Sequence, residues 1–240
     1  MSIISNSVNY VDGDSVLEGF FAFDDSSTQR RPAVLIAHAW GGRDSFVMDK
    51  AKQLAALGYV GFALDMYGHG KVGADVAENA QLMQPFLTNR ALLQQRISAA
   101  LLAVKLLPWV DDKQIAAIGY CFGGLCVLDL ARTGADIKGV VSFHGLLGRP
   151  DNLANTKINA SVLVLHGHDD PMVTPPQVLA LQEELSAAQA DWQTHSYGQT
   201  VHAFTNPQAA DAAFGTVYSS KADSRSWQAM TNFLSEVFAD

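Results

Sequence analysis

The stretch that most constrains this chain runs from residue 115 to residue 128, with the sequence IAAIGYCFGGLCVL. A short apolar run leads into Gly-x-Cys-x-Gly-Gly, and apolar residues at helical spacing follow at once. This pattern predicts a buried strand, a sharp turn and a helix, with Cys121 at the tip of the turn as in a nucleophile elbow. The tip residue of such an elbow has a strained backbone, so its neighbours must lack a Cβ to let strand and helix approach. Gly119 and Gly123 meet that need.

The position of Cys121 favours an anion. Its side chain would lie over a helix N-terminus, whose free N–H groups and dipole stabilise negative charge. For this side chain the anion would be a thiolate. Taken alone, the motif is equally compatible with a buried core cysteine, so the rest of the chain has to decide between the two interpretations.

Strands and helices alternate along most of the chain. An antiparallel pair is predicted first, at residues 7–11 and 16–23. Further strands are predicted at 33–38, 59–65, 115–120, 139–143, 160–166 and 191–197. Helices are predicted at 46–57, 89–107, 121–132, 176–188 and 224–238, and residues 73–87 are compatible with an irregular segment or a short helix. The alternation predicts an α/β fold, a mostly parallel sheet with helices on both faces, whose chemistry collects at the carboxyl ends of the strands.

Length and composition limit the interpretation further. A chain of 240 residues with 48% hydrophobic residues is long enough for one large core and short for two, so we expect a single domain over residues 1–240. The net charge of −8 and the lack of a basic run argue against nucleic acid or an anionic membrane as a partner. No secretory signal is recognisable at the start, so a cytoplasmic protein is expected. Cys121 and Cys126 lie too close together in the sequence for a long-range disulfide.

Partners for Cys121 are expected at other strand ends. A thiol nucleophile needs a base within hydrogen-bond reach, and the base needs an acceptor that orients it. The strand at 160–166 is followed by Asp169 and Asp170, and the last predicted strand is followed by His202. The order nucleophile, acid, histidine is that of α/β-hydrolases.

Three motifs together resemble the dienelactone hydrolase family, the cysteine branch of the α/β-hydrolase fold. They are Gly119-Tyr120-Cys121-Phe122-Gly123-Gly124, Gly167-x-x-Asp170-x-x-Val173 and His202-Ala203-Phe204, and the similarity runs from about residue 32 to the C-terminus. The resemblance implies that Cys121 is the nucleophile, His202 the base and Asp170 the residue that orients it. Asp169 would then be a loop-capping or solvated residue.

The oxyanion hole should combine two backbone N–H groups. Elbow geometry supplies that of Phe122, and the second should come from the loop after the strand at 33–38. The resemblance implies that this second donor is Trp40. The best-known relatives carry a glutamate just before that position, where this chain has Ala39. We therefore expect the thiol to be activated by His202 and the helix N-terminus alone.

The remaining pocket assignments are less specific. Relatives in this family use an arginine to hold a substrate carboxylate, and Arg90 or Arg96 would be the equivalent here, although a solvated charge on the helix face is the simpler interpretation of either. His144, with Trp40 and Ala39, is expected to line the pocket.

Metal binding is the weaker interpretation of the cluster His166-x-His168-Asp169-Asp170. No set of cysteines or histidines at ligand spacing completes a tetrahedral site, so neither a metal nor another cofactor is expected.

Three functions are compatible with this sequence. The first is hydrolysis of a small ester or lactone through a Cys-His-Asp triad and a thioester. The second uses the same triad on a phosphotriester, since Ala39 leaves an uncharged pocket. The third, from another class, is a thiol redox sensor or a ligand-binding module without catalysis.

Overall fold

The computed structural model describes residues 2–153 and 157–239. The chain divides into two compact units, Met1–Ile118 and Gly119–Asp240. The single domain predicted over residues 1–240 stays a prediction.

The first unit contains a sheet of mixed direction. Its strands are β1 (Ile3–Asp12), β2 (Ser15–Asp24), β3 (Arg31–Ala37), β4 (Val60–Ala63) and most of β5 (Val110–Tyr120), in the spatial order β1-β2-β4-β3-β5. Strands β1 and β2 form the predicted antiparallel hairpin, β2 pairs antiparallel with β4, and β3 pairs parallel with β4. β3 and β4 are almost entirely buried, which explains why both read as continuous apolar runs in the sequence.

Three helices belong to this unit, α1 (Ser45–Ala56), α2 (Val76–Thr88) and α3 (Arg90–Lys105). Each begins after a side-chain N-cap, namely Asp44, Asp75 and Asn89. The ambiguous segment 73–87 is thus mostly helical. Its capping signal is the pair Asp75 and Glu78, because Asp75 accepts from the Glu78 N–H at 2.8 Å and Glu78 accepts from the Ala74 N–H at 2.9 Å.

Arg96 on α3 is a buried structural charge. Its Nε donates to Asp12 Oδ2 at 2.7 Å, Nη1 donates to the Met66 carbonyl at 2.9 Å, and Nη2 donates to Ser15 Oγ at 3.1 Å. The guanidinium therefore ties the N-terminal hairpin to the segment after β4.

The second unit begins at Gly119, within the last two residues of β5. It contains helices α4 (Phe122–Arg132), α5 (Pro175–Ala187) and α6 (Ser220–Val237), and strands β6 (Gly139–Phe143), β7 (Ser161–Gly167), β8 (Trp192–Tyr197), β9 (Ala210–Asp211) and β10 (Thr216–Val217). Strands β6, β7 and β8 lie side by side and parallel. The residues of α4 are buried along its whole length, as are those of β6 and nearly all of β7.

Several details differ from the sequence prediction. Strands β1 and β5 begin four and five residues earlier than predicted. Helix α6 begins at Ser220, four residues before the predicted start, because Ser219 caps it by accepting from the Ala222 N–H at 3.3 Å. The short antiparallel hairpin of β9 and β10 was not predicted, since two-residue strands are too short to show a periodic pattern. Among the described residues, no helix combines the length and apolar character needed to cross a membrane.

Candidate active site

Cys121 lies at the tip of a strained turn between β5 and α4. Its backbone has φ 54° and ψ −115°, a conformation that residues other than glycine rarely adopt. The turn is fixed because the Cys121 N–H donates to the Phe143 carbonyl at 3.0 Å and the Cys121 carbonyl accepts from the Gly124 N–H at 2.9 Å. A Cβ on Gly119 would overlap the Gly123 carbonyl oxygen, which confirms the steric role predicted for Gly119. Phe122 is the first residue of α4, and its side chain is fully buried.

Asp170, in the loop after β7, contacts His202, in the loop after β8. His202 Nδ1 lies 2.7 Å from Asp170 Oδ2, and both residues are buried, at 2% and 3% exposure. The other carboxylate oxygen of Asp170 accepts from the N–H groups of Met172 at 2.8 Å and Val173 at 3.3 Å. With these bonds made, the acid holds the Nδ1 side of the imidazole in one orientation. Asp169 is exposed, so the structure brings Asp170 and not its neighbour to His202.

The β9–β10 hairpin holds the backbone of His202. The His202 N–H donates to the Gly215 carbonyl at 3.1 Å, and the His202 carbonyl accepts from the Val217 N–H at 3.2 Å. Gly215 also packs against Pro171, next to Asp170, so closely that a Cβ there would overlap the proline ring. The hairpin thus contacts both the histidine loop and the acid loop. In the sequence, the cue to this turn was an aspartate followed by a glycine, Asp211 and Gly215. In the structure, Asp211 accepts from the Phe214 N–H at 2.9 Å and Gly215 has φ 77°.

The charges around His202 favour its protonated form. Burial lowers the pKa of His202, but the negative charge of Cys121, the hydrogen bond to Asp170 and the charge of Asp170 together outweigh it and raise the pKa to about 10. His202 therefore carries a proton at neutral pH when Cys121 is a thiolate. Such a pair combines a nucleophile with a proton donor beside it.

His144 directly follows β6 and lies behind His202. Its ring is buried, with Nε2 2.8 Å from Thr205 Oγ1, and it makes edge contacts with the rings of His202 and Phe204, each at 5.1 Å between centroids. Burial, reinforced by the neighbouring charge of His202, holds the pKa of His144 well below its usual value. The sequence placed His144 in the pocket lining, and the structure places it against the candidate base.

His166 and His168, the other members of the predicted histidine cluster, have separate environments. His166 is buried, and its Nε2 lies 3.1 Å from the Val173 carbonyl, whereas His168 is exposed. Within the described part of the chain, no group of three or more histidine, cysteine or acidic side chains is arranged to hold a metal ion.

The loop after β3, in the first unit, carries two further predicted residues. His38 Nε2 accepts from the Met66 N–H at 3.2 Å, so His38 Nδ1 donates to the Ala39 carbonyl at 2.6 Å. The Trp40 carbonyl accepts from the Tyr67 hydroxyl at 2.9 Å. Ala39 and Trp40, the two predicted residues of this loop, are both half-buried. The hydrogen bonds to their carbonyl groups hold the backbone of the loop in place.

The two arginines considered for a substrate carboxylate differ in environment. Arg90 is half-buried at the first position of α3. Arg96 is 7% exposed and already neutralised by Asp12, which gives it a structural role instead.

Comparisons with known proteins agree with this architecture. The model of the dienelactone hydrolase family matches residues 17–238. A solved structure of a dienelactone hydrolase-like promiscuous phosphotriesterase, P91, from metagenomic libraries is 38% identical, with a TM-score of 0.94 and 99% coverage of both chains. The structure m3DLH is 33% identical, with a TM-score of 0.94 and coverage of 99% of this chain and 100% of that one. The uncharacterized protein K02A2.1 of Caenorhabditis elegans is 42% identical over 153 residues, which are 61% of this chain and 95% of that protein.

The match over almost the whole chain and the similarity of both structures confirm the predicted fold, a mostly parallel sheet covered by helices. They also confirm the resemblance seen in the three motifs. The chain is a hydrolase that belongs to the dienelactone hydrolase family.

Proposed function

We propose that this protein hydrolyses small esters or lactones through a Cys121-His202-Asp170 triad and a covalent thioester. The observation that carries the proposal is the buried His202, whose Nδ1 lies 2.7 Å from Asp170 Oδ2 and whose pKa is raised by the negative charge of Cys121 at the elbow. A sensor or binding module would need no oriented, protonated histidine beside its thiol. Membership of a hydrolase family supports the same conclusion.

The reaction follows from the charges of the pair. The Cys121 thiolate attacks the substrate carbonyl and forms a C–S bond, and the carbonyl oxygen becomes an oxyanion that the Phe122 N–H at the start of α4 stabilises. The Trp40 N–H is the predicted second donor. His202 then gives its proton to the leaving oxygen as the C–O bond breaks. Neutral His202 next takes a proton from water, the hydroxide attacks the thioester, and the C–S bond breaks to return the starting thiolate and imidazolium.

The nucleophile restricts the leaving group. In the tetrahedral intermediate either sulfur or the leaving oxygen can depart, and a thiolate departs more readily than an amine or a simple alkoxide. Acylation of Cys121 therefore proceeds only when the substrate's leaving group is comparably acidic. Enol esters, enol lactones and aryl esters meet this condition, whereas peptides do not.

Rapid-mixing hydrolysis of p-nitrophenyl acetate, followed by intact mass spectrometry of quenched samples, tests this proposal. Wild type should show a burst of p-nitrophenol and an acetyl adduct on Cys121, and Cys121→Ala should show neither. Cys126→Ala is the matched control, because this second cysteine is buried within α4 and should leave burst and adduct intact. Slow turnover that is equal in wild type and Cys121→Ala, with no adduct, would rule out the covalent hydrolase and favour the sensor or binding module.

Phosphotriesters with an aryl leaving group are a second candidate substrate class. Two observations favour them, the uncharged Ala39 in the loop after β3 and the 38% identity to a protein described as a promiscuous phosphotriesterase. The thiolate would form a P–S bond as the aryl oxide leaves with the His202 proton, and water activated by His202 would then break that bond.

Incubation with diethyl p-nitrophenyl phosphate distinguishes this candidate. A diethylphosphoryl adduct on Cys121 with continuing release of p-nitrophenol would support it. The absence of both, in enzyme that turns over p-nitrophenyl acetate, would restrict the site to carboxyl esters.

The partner we infer is accordingly a small molecule. The cytoplasmic location expected from the sequence stays a prediction, which fractionation of the source cells would test.

A further inference from the structure

His144 occupies a position that is costly for a histidine. It follows the last residue of β6 with φ 38°, in the left-handed region where glycine is the usual occupant. The backbone is nevertheless held there, because the His144 N–H donates to the Leu165 carbonyl at 2.8 Å. Strain of this kind at a side chain buried beside a reactive group points to a requirement for that side chain.

The ring of His144 is held by a hydrogen bond and by contacts with neighbouring rings. Its Nε2 is bonded to Thr205 Oγ1 at 2.8 Å, and Thr205 lies three residues after His202 in the same loop. Its ring plane is inclined by 65° to that of His202 and by 81° to that of Phe204. The imidazole of His202 is therefore bounded by Asp170 at Nδ1 and by the ring of His144 on another side, which restricts rotation of the base away from Cys121.

The pKa shifts of the two imidazoles have opposite directions, that of His144 lowered and that of His202 raised. Cys121 and Asp170 favour the charged form of His202. The other titratable groups that face the pair are His166, whose own pKa is lowered by burial, and Tyr120, whose ring centroid lies 6.0 Å from that of His144 and whose pKa is raised by burial. His144 is 3% exposed and makes no ion pair among the described residues. A neutral aromatic ring beside an imidazolium adds no like-charge repulsion.

We propose that His144 is a positioning residue for His202, an imidazole anchored by Thr205 that fixes the plane of the base and so supports its pairing with Cys121. The proposal rests on the proposed function of the Cys121-His202-Asp170 site. It assigns His144 a contact with the base, and the pocket-lining role expected from the sequence stays a prediction.

Three substitutions separate the parts of this role. His144→Leu removes the ring, His144→Phe keeps an aromatic ring but loses the bond to Thr205, and Thr205→Val removes only the hydroxyl. Ser142→Ala is the matched control, since Ser142 is a buried residue of β6 whose hydroxyl has no hydrogen-bond partner among the described residues.

The main measurement is the pH dependence of Cys121 alkylation by iodoacetamide, which reports how much thiolate is present and needs no turnover. If His144 supports the imidazolium, its removal lowers the thiolate fraction at a given acidic pH. We expect His144→Leu to shift the acid side of the profile upward by about one pH unit, which is a tenfold change in the thiolate equilibrium. His144→Phe and Thr205→Val should shift it by less, and Ser142→Ala should match wild type.

Steady-state kinetics with p-nitrophenyl acetate give the second readout. We expect kcat to fall roughly tenfold in His144→Leu with KM within about twofold of wild type, since the contact acts on the base and not on bound substrate. Circular dichroism and thermal unfolding identify any variant that fails to fold, and Thr205→Val, the smallest change, then carries the test.

The outcomes distinguish this inference from the proposed function. A wild type that forms the acetyl adduct, with His144→Leu, His144→Phe and Thr205→Val all showing its alkylation profile, would overturn the role of His144 alone. A wild type whose Cys121 is alkylated like an ordinary exposed thiol, with no adduct, would overturn both.

Discussion

At the scale of single residues, the candidate site depends on which protons are held where. Asp170 is oriented by two backbone N–H groups and has one oxygen left for His202. This division of the carboxylate explains why position 170, and not the exposed position 169, contacts the base. The sequence order alone left the two aspartates open, and the spacing Gly167-x-x-Asp170 decided between them.

The neighbouring aspartates allow a matched test of this assignment. Asp170→Asn keeps the shape of the side chain but presents an amide to Nδ1, so that His202 loses both its charge partner and its fixed tautomer. We expect kcat for p-nitrophenyl acetate to fall by about 10²- to 10⁴-fold, by analogy with the loss of the acid in other triads. Asp169→Asn should keep wild-type kinetics, and similar losses in both variants would contradict the assignment.

The raised pKa of His202 predicts a pH dependence that varies with the leaving group. Below about pH 10 the imidazolium can protonate a leaving alkoxide or phenoxide, and above it that proton is lost. Acylation by phenyl acetate should therefore slow as the pH rises through about 10. Acylation by p-nitrophenyl acetate, whose leaving group needs little protonation, should slow less. Pre-steady-state bursts with the two esters give the comparison, and identical profiles would argue against His202 as the acid.

At the scale of elements, the elbow was predictable and the hairpin that supports the base was not. The strand, turn and helix around Cys121 combine an apolar run, glycines and helical spacing in one continuous stretch, so each local signal reinforces the others. The β9–β10 hairpin has strands of two residues, and its role depends on contacts with Pro171 and His202 that are distant in sequence. The bond between His144 and Thr205 is likewise a contact across 61 positions that no local pattern announces.

Gly215 provides the test of the hairpin. Its φ of 77° and its contact with Pro171 leave no space for a Cβ, so Gly215→Ala must displace the acid loop, the histidine loop or both. We expect kcat to fall by roughly tenfold or more, because displacements of about 1 Å near a catalytic group have effects of that size. Gly198→Ala is the control, since a Cβ there meets no atom within 4 Å. Equal activities of the two variants would show that the hairpin does not position the base.

At the scale of the whole molecule, composition predicts substrate charge. The chain has a formal net charge of −8, and the buried Arg96 is already paired with Asp12. Long-range repulsion should therefore slow the approach of anionic esters, and salt should weaken that repulsion.

The p-nitrophenyl esters of acetic and succinic acid compare a neutral with an anionic substrate. We expect a lower kcat/KM for the succinate monoester, rising when the ionic strength is raised from about 0.01 to 0.2 M, a range over which the screening length shortens severalfold. The acetate ester should change little. A higher kcat/KM for the succinate monoester that falls with salt would instead indicate a carboxylate-binding cation, with Arg90 as the first residue to substitute.

The pairing of Arg96 with Asp12 has a consequence for how the chain is made. The two residues are 84 positions apart, and each would be an uncompensated charge if buried without the other. On the ribosome, Asp12 is synthesised long before Arg96. The Asp12 carboxylate of the nascent N-terminal hairpin must therefore stay hydrated until α3 emerges. Final docking of the hairpin is therefore coupled to the appearance of this one guanidinium.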